Sequence, residues 1–262
     1  MAQHNKLYKK AIYYDVVFDR NVSSEVKFLL DVFELIVGRE AVSIIELACG
    51  PGYHSIEAAR LGLQSFGLDL NPEMIDLGKQ KAEQAGLSVT WLAQDFRDFH
   101  LPNKVDLAIN IFDGLDALLT NEDLIAHFKA VAQNLNDNGL YIIDLSHPRD
   151  FSVIHYQETS YQGARDGVSV RINWAINHPK FDLVSSVADV EVAFEVNDHG
   201  EKVMIMDHAS ERMLLPQEIS LLADLSNQFL IKAWHGNFQL DQPFDNTKNS
   251  KRMIIVMQKI TA

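Results

Sequence analysis

The chain has little cysteine, few basic residues and no long apolar run. Cys49 is its only cysteine. No intrachain disulfide can form, which fits a reducing compartment and gives the expectation of a cytoplasmic protein. Lys and Arg number 23 against 36 Asp and Glu, a formal charge of −13. A long phosphate-backbone footprint needs clustered Lys and Arg, so no nucleic-acid partner is expected. No apolar run approaches the ~20 residues a membrane span needs. Asp15 and Asp19 break the segment after Lys6, Lys9 and Lys10, which makes a poor signal peptide. A membrane partner is therefore not expected. The ten histidines are scattered and, with one cysteine, offer no metal-ligand spacing, so no metal is expected. Phosphate-loop GxxxxGK(S/T), HExxH and GxSxG motifs are all missing.

What is present is an ordinary globular composition: 262 residues, 47% hydrophobic and 23% charged. That suffices for one large domain, or one domain with an insertion. Residues 24–37 carry helical apolar spacing with Gly38 as a stop. Strands at 42–48, 64–70, 88–93, 105–111 and 139–146 then alternate with helices at 54–61, 72–85 and 122–135. Asn71 and Pro72 are a cap and first position for the second of these helices, and Asn121 is a candidate cap for the third. Such alternation implies a parallel sheet with helices on both faces. After Pro148 the pattern changes. Segments 169–176, 187–196 and 202–212 alternate apolar and polar residues, with Val190, Val192, Phe194 and Val196 on one face. This is an antiparallel meander inserted into an α/β chain. A helix from Pro216 follows, then strands 229–235 and 252–259, which should pair antiparallel. The expected domains are 1–148 with 213–262, and the insertion 149–212.

The sequence "IIELACGPGYHS" joins the first strand to a helix through a glycine turn at Gly50 and Gly52. Glycines there let backbone approach a ligand closely. Gly50-x-Gly52 alone is weak, and Ser55 stands where a dinucleotide fingerprint has its third glycine. A tight connection with no ligand remains an option at this stage. Two acids add information. Asp69 ends the second strand, where a carboxylate can bind both ribose hydroxyls. Asp95 and Phe96 follow the third, where an acid can accept from an adenine amino group beside an apolar cover.

With these segments the chain resembles a class I S-adenosylmethionine-dependent methyltransferase. The resemblance runs through "ELACGPG", "GLDLNPEMI", "AQDFRDF", "NIFDGLDALLTNEDL" and "LNDNGLYIIDL". One departure is Ala48, where the family usually has a glycine. "YYDVVFDR" and the antiparallel insertion look like small-molecule methyltransferases, including N-methyltransferases of amino sugars and of glycine or sarcosine. The resemblance implies a Rossmann-like seven-stranded sheet with its last strand antiparallel, plus the inserted β meander. It also implies S-adenosylmethionine as methyl donor and a small-molecule acceptor methylated on N or O. A binding protein without transferase activity and a dinucleotide-dependent oxidoreductase are the alternatives. A homodimer is one option for the oligomeric state.

On this resemblance Ala48, Gly50 and Gly52 border the methionine part of the donor. Glu46 lies near its ammonium, or else caps the strand end. Asp69 holds the ribose. Leu70, Asp95 and Phe96 border the adenine and Met74 is a further cofactor-binding candidate; for Leu70 and Met74 an ordinary core or helix-face role is the alternative. Asn110, Ile111 and Phe112 stand beside the sulfonium, Tyr14 closes over the donor and Arg20 meets its carboxylate. Catalytic candidates are Asp113, first in line to orient or deprotonate the acceptor, then Tyr14 and His147. For Asp113 a turn-capping role is the alternative, and for His147 a structural one. The insertion and the N-terminal segment are expected to cover the acceptor and the donor.

Overall fold

The protein is described by a computed structural model over residues 11–150, 156 and 158–261. It divides into two units, of which the larger runs over residues 21–149 and 214–261. Its helix α2 (Ser23–Val37) stops at Gly38, which takes the left-handed conformation (φ 80°) that glycine tolerates. The chain then alternates β1 (Ser43–Leu47), α3 (Tyr53–Arg60), β2 (Gln64–Asp69), α4 (Pro72–Gln84), β3 (Thr90–Ala93) and β4 (Val105–Asn110). Next come α5 (Asn121–Asn134) and β5 (Leu135–Ser146) and, after the second unit, α6 (Pro216–Ser226), β10 (Phe229–His235) and β11 (Arg252–Lys259). Asn71 caps α4 as its sequence position suggests, its side chain accepting from the Glu73 N–H. The cap of α5 is Thr120, one residue before the expected Asn121, because the Thr120 hydroxyl accepts from the Asp123 N–H.

Strand order is β10-β11-β5-β4-β1-β2-β3. All pairs are parallel except those of β11, which is antiparallel to both β5 and β10. Successive side chains of a strand alternate between faces, and the packing follows. Ile44, Leu107, Ile142 and Ile254 meet Val26, Leu29, Val32 and Phe33 of α2. Ile45, Leu47, Tyr141, Ile143 and Ile255 meet Phe128 of α5 and Leu222 of α6. Parallel β1, β2, β4 and β5 all end at one edge of the sheet, where α/β proteins bind ligands.

The smaller unit contains α1 (Ala11–Phe18), β6 (Thr159–Arg165), β7 (Val168–Trp174), β8 (Val187–Asp198) and β9 (Glu201–Arg212). The four strands form one antiparallel sheet in chain order. Val190, Val192, Phe194 and Val196 are buried on one face with Val170 and Ile172. The sequence pattern missed β6, whose residues show no apolar alternation, and it carried the β7 segment past Trp174 to Ile176. The chain instead turns at Ala175, where φ is 63°. The N-terminal helix belongs with this unit and not with the larger sheet. Asp15 is buried and paired with Arg165, and Phe18 packs on Tyr161. Gly163 is the crossing point: a Cβ there would lie 2.1 Å from the Val16 carbonyl oxygen. Among the described residues no helix is long and apolar enough to cross a membrane.

Candidate active site

The turn after β1 has left-handed backbone at Ala48 (φ 51°), Gly50 (φ 54°) and Gly52 (φ 73°). This accounts for the glycine that the resemblance leads one to expect at position 48. The alanine is accommodated by a gap opposite: a Cβ on Gly114 would lie 3.0 Å from the Ala48 methyl. Gly52 serves a different contact. Its missing Cβ makes room for the Trp91 indole, as do those of Gly67 on β2 and Gly78 on α4. Built Cβ atoms would approach the ring to 2.5, 2.6 and 2.7 Å.

Asp69 ties this turn to the next helix. Its Oδ2 accepts from the Gly50 N–H at 2.8 Å and its Oδ1 from the Asn71 N–H at 2.8 Å. Burial raises its pKa, against the lowering effect of those two N–H groups. Each carboxylate oxygen has two lone pairs, so both can still accept a hydroxyl, and a vicinal diol fits this pair of acceptors. Leu70 beside it is exposed, whereas Met74 is wholly buried on α4. Met74 thus packs as a core residue of α4.

Glu46 ties the end of β1 to the start of α3. Its Oε2 accepts from the N–H and hydroxyl of Ser55, both at 2.8 Å, in the first turn of α3. Its Oε1 meets Nδ1 of His54 at 2.9 Å, and Nε2 of that ring meets Glu25 at 2.9 Å. Burial pulls the His54 pKa down, but the two carboxylates outweigh it and push it up to about 9.

Asp95 accepts from the Arg97 guanidinium and main-chain N–H, and Arg97 also reaches Asp123 at 2.7 Å. Hydrogen bonding from Arg97 holds the Asp95 carboxyl below its ordinary range. The Phe96 ring packs on buried His127 at 4.6 Å between centroids, and its carbonyl accepts from Nδ1 of that ring at 2.8 Å. Burial lowers the His127 pKa to about 4, so the ring is neutral and Nε2 accepts from the Tyr141 hydroxyl.

At the end of β4, Asn110 donates to the Leu47 carbonyl at 3.1 Å. Its Oδ1 is buried with no hydrogen-bond partner among the described residues, a cost that bound donors normally relieve. Ile111 is buried, while Phe112 is exposed. Phe112 and Asp113 are consecutive left-handed residues (φ 63° and 66°), each costing about 1–3 kcal/mol unless its surroundings fix it. The Asp113 carboxylate is engaged by the Ser146 N–H and hydroxyl and by Arg252 at 3.0 Å. This is a turn-holding role, and it leaves the carboxylate poorly placed to act as a base. His147 is likewise structural. Its Nδ1 accepts from the Arg149 N–H at 3.0 Å, so the proton sits on Nε2, which donates to the Asp245 carbonyl at 2.9 Å. Nδ1 holds the local turn after β5, and Nε2 fastens it to the loop between β10 and β11. Tyr14, whose ring lies tilted against Phe18 at 4.4 Å between centroids, and Arg20 both lie in the smaller unit. Sequence reasoning missed Asp144, Arg252, His54 and Trp91. For Asp144 and Arg252 the signal available was a lone acid in "GLYIIDLS" and a base opening the apolar run of "RMIIVMQK", since charges in apolar strands need partners.

The glycine turn, an acid ending β2 and an antiparallel strand beside β5 together define a methyltransferase-type sheet. Residues 44–139 match the family described as Methyltransferase domain. In sequence the chain is similar to dTDP-3-amino-3,4,6-trideoxy-alpha-D-glucopyranose N,N-dimethyltransferase of Streptomyces venezuelae. Identity is 28% over 116 residues, 44% of this chain and 47% of that one. The chain spans half or less of the length of the sequence relatives it matches. In structure it is similar to an S-adenosylmethionine-dependent methyltransferase from Clostridium acetobutylicum (TM-score 0.76, 20% identity, 97% and 99% of the two chains). It is also similar to Streptomyces venezuelae DesVI (TM-score 0.73, 21% identity, 96% and 98%). At those identities the likeness is one of fold.

Proposed function

We propose that the protein transfers a methyl group from S-adenosylmethionine to the amino nitrogen of a small molecule, with amino sugars as the leading class. The observation that carries the donor is Asp69, a buried carboxylate bound to the glycine turn with acceptor capacity left for a diol. The acceptor class rests on similarity alone: neighbours include an amino pentose methyltransferase and a sugar N-methyltransferase, and the relative named above is named for an amino sugar. When bound, the donor supplies a methyl group activated by a positive sulfur. Asp69 would bind its ribose, Leu70 and Phe96 would border its adenine, and Asp95 would read the amino group while pairing with Arg97. Gly50 and Ala48 let backbone reach its methionine part. The buried Asn110 Oδ1 is an acceptor for its ammonium.

Proximity and alignment supply most of what such a displacement needs, up to about 7–11 kcal/mol. With Asp113 and His147 holding structure, the acceptor amine enters as the neutral base and needs no dedicated carboxylate. The smaller unit, inserted directly after β5, would select the acceptor.

The test is calorimetric titration with S-adenosylhomocysteine, then donor turnover against a panel of amines and alcohols. Wild type should bind S-adenosylhomocysteine, and Asp69→Asn should weaken that binding by roughly 1.5–3 kcal/mol, the worth of hydrogen bonds to a charged group. Equal affinity in the mutant removes Asp69 from the donor site. Binding without turnover of any acceptor would favour a binding protein, and binding of NAD in its place an oxidoreductase.

A further inference from the structure

We propose that Arg252, acting with Asp144, is a positioning residue for the β4 turn that meets the transferred methyl group; this rests on the reading above. Phe112 occupies a left-handed conformation that an aromatic side chain rarely takes, and Asp113 continues it as a residue that tolerates that region better than most. Partners from two other strands hold them there. From β5, Asp144 Oδ2 accepts the Phe112 N–H at 3.0 Å, and the Asp144 carbonyl accepts the Asp113 N–H at 3.2 Å. Ser146 of the same strand donates to the Asp113 carboxylate. From β11, Arg252 donates through Nε and Nη2 to the two oxygens of Asp144 at 2.7 and 2.9 Å. Its Nη2 also reaches Asp113 Oδ2 at 3.0 Å, and its Nη1 the Ser146 hydroxyl at 3.1 Å.

One guanidinium thus links the acid that grips the turn's backbone to the acid that belongs to the turn. The reversed direction of β11 makes this geometry available. Arg252 is the first residue of β11 and pairs with Ser146, the last of β5, so an antiparallel strand delivers its opening residue to the edge where the parallel strands end. A guanidinium presents a rigid planar fork, whereas lysine offers a point charge on a flexible stem. Charge alone will not replace it.

The test places 4-fluorophenylalanine at position 112 and records its fluorine resonance with and without S-adenosylhomocysteine. Wild type should give one narrow line. Arg252→Lys and Asp144→Asn should each broaden or split it while S-adenosylhomocysteine affinity stays within about 3-fold, under 1 kcal/mol. Ser146→Ala removes one hydroxyl from the same carboxylate and should produce a smaller change of the same kind. It stands in for either variant that circular dichroism shows to be unfolded. One narrow, unshifted line in every folded variant would overturn the proposal. Failure of wild type to bind S-adenosylhomocysteine would instead overturn the donor reading, and the resonance would still judge the clamp.

Discussion

His54 sits between Glu46 and Glu25 with almost no access to water, and this makes folding depend on pH. Its pKa is about 9 in the folded chain against 6.5 for an ordinary histidine. Folding therefore favours the protonated ring. The contribution is complete below about pH 6.5, the unfolded value, and is lost as pH rises through the folded value near 9. At about 1.4 kcal/mol per unit the shift corresponds to something on the order of 3 kcal/mol. Urea midpoints of the wild type should fall between pH 6.5 and 9, and His54→Gln should flatten that slope. Equal slopes in the two proteins would mean that the ring carries no charge in the native state.

Helix α4 gives a case where propensity and packing oppose each other. Replacing a helical glycine by alanine ordinarily gains about 1 kcal/mol. At Gly78 the new methyl would meet the Trp91 ring at 2.7 Å and the Pro51 carbonyl oxygen at 2.9 Å. Overpacking of that kind costs about 1–3 kcal/mol, and one of the two neighbours is backbone that cannot swing away. Gly78→Ala should lower the melting temperature, a sign opposite to the helix expectation; a rise would show that the indole moves aside. No feature of the sequence around Gly78 announces this, because the three glycines that flank Trp91 lie on three different elements. The same division runs through the fold. Elements with strong periodicity, such as α2, β10 and β11, were legible from local pattern, as were the glycine turn and Asp69 at strand ends. What local pattern did not reveal is who pairs with whom. The partners of Asp113 and Glu46 lie on other elements or beyond the strand, and β6 lacks the alternation that makes a strand visible.

At the scale of the whole molecule, the two units offer a way to separate donor from acceptor. If the smaller unit selects the acceptor, grafting its counterpart from the Streptomyces venezuelae N,N-dimethyltransferase in place of residues 158–212 should leave S-adenosylhomocysteine affinity unchanged. The chimera should gain turnover on the dTDP-amino sugar for which that relative is named. Unchanged acceptor preference in a chimera that still turns over would assign the choice to the larger unit. Measuring any of these affinities calls for a signal, and the chain carries one. It has three tryptophans. Trp174 donates to Glu211 at 2.9 Å in the smaller unit, and Trp234 stacks on Phe244 at 5.8 Å. Trp91 lies against the glycine turn, where a Cβ on Gly52 would come within 2.5 Å of its ring. With the other two changed to phenylalanine, its emission becomes a native fluorophore wired to the loop, so the turn can report optically on its own occupancy.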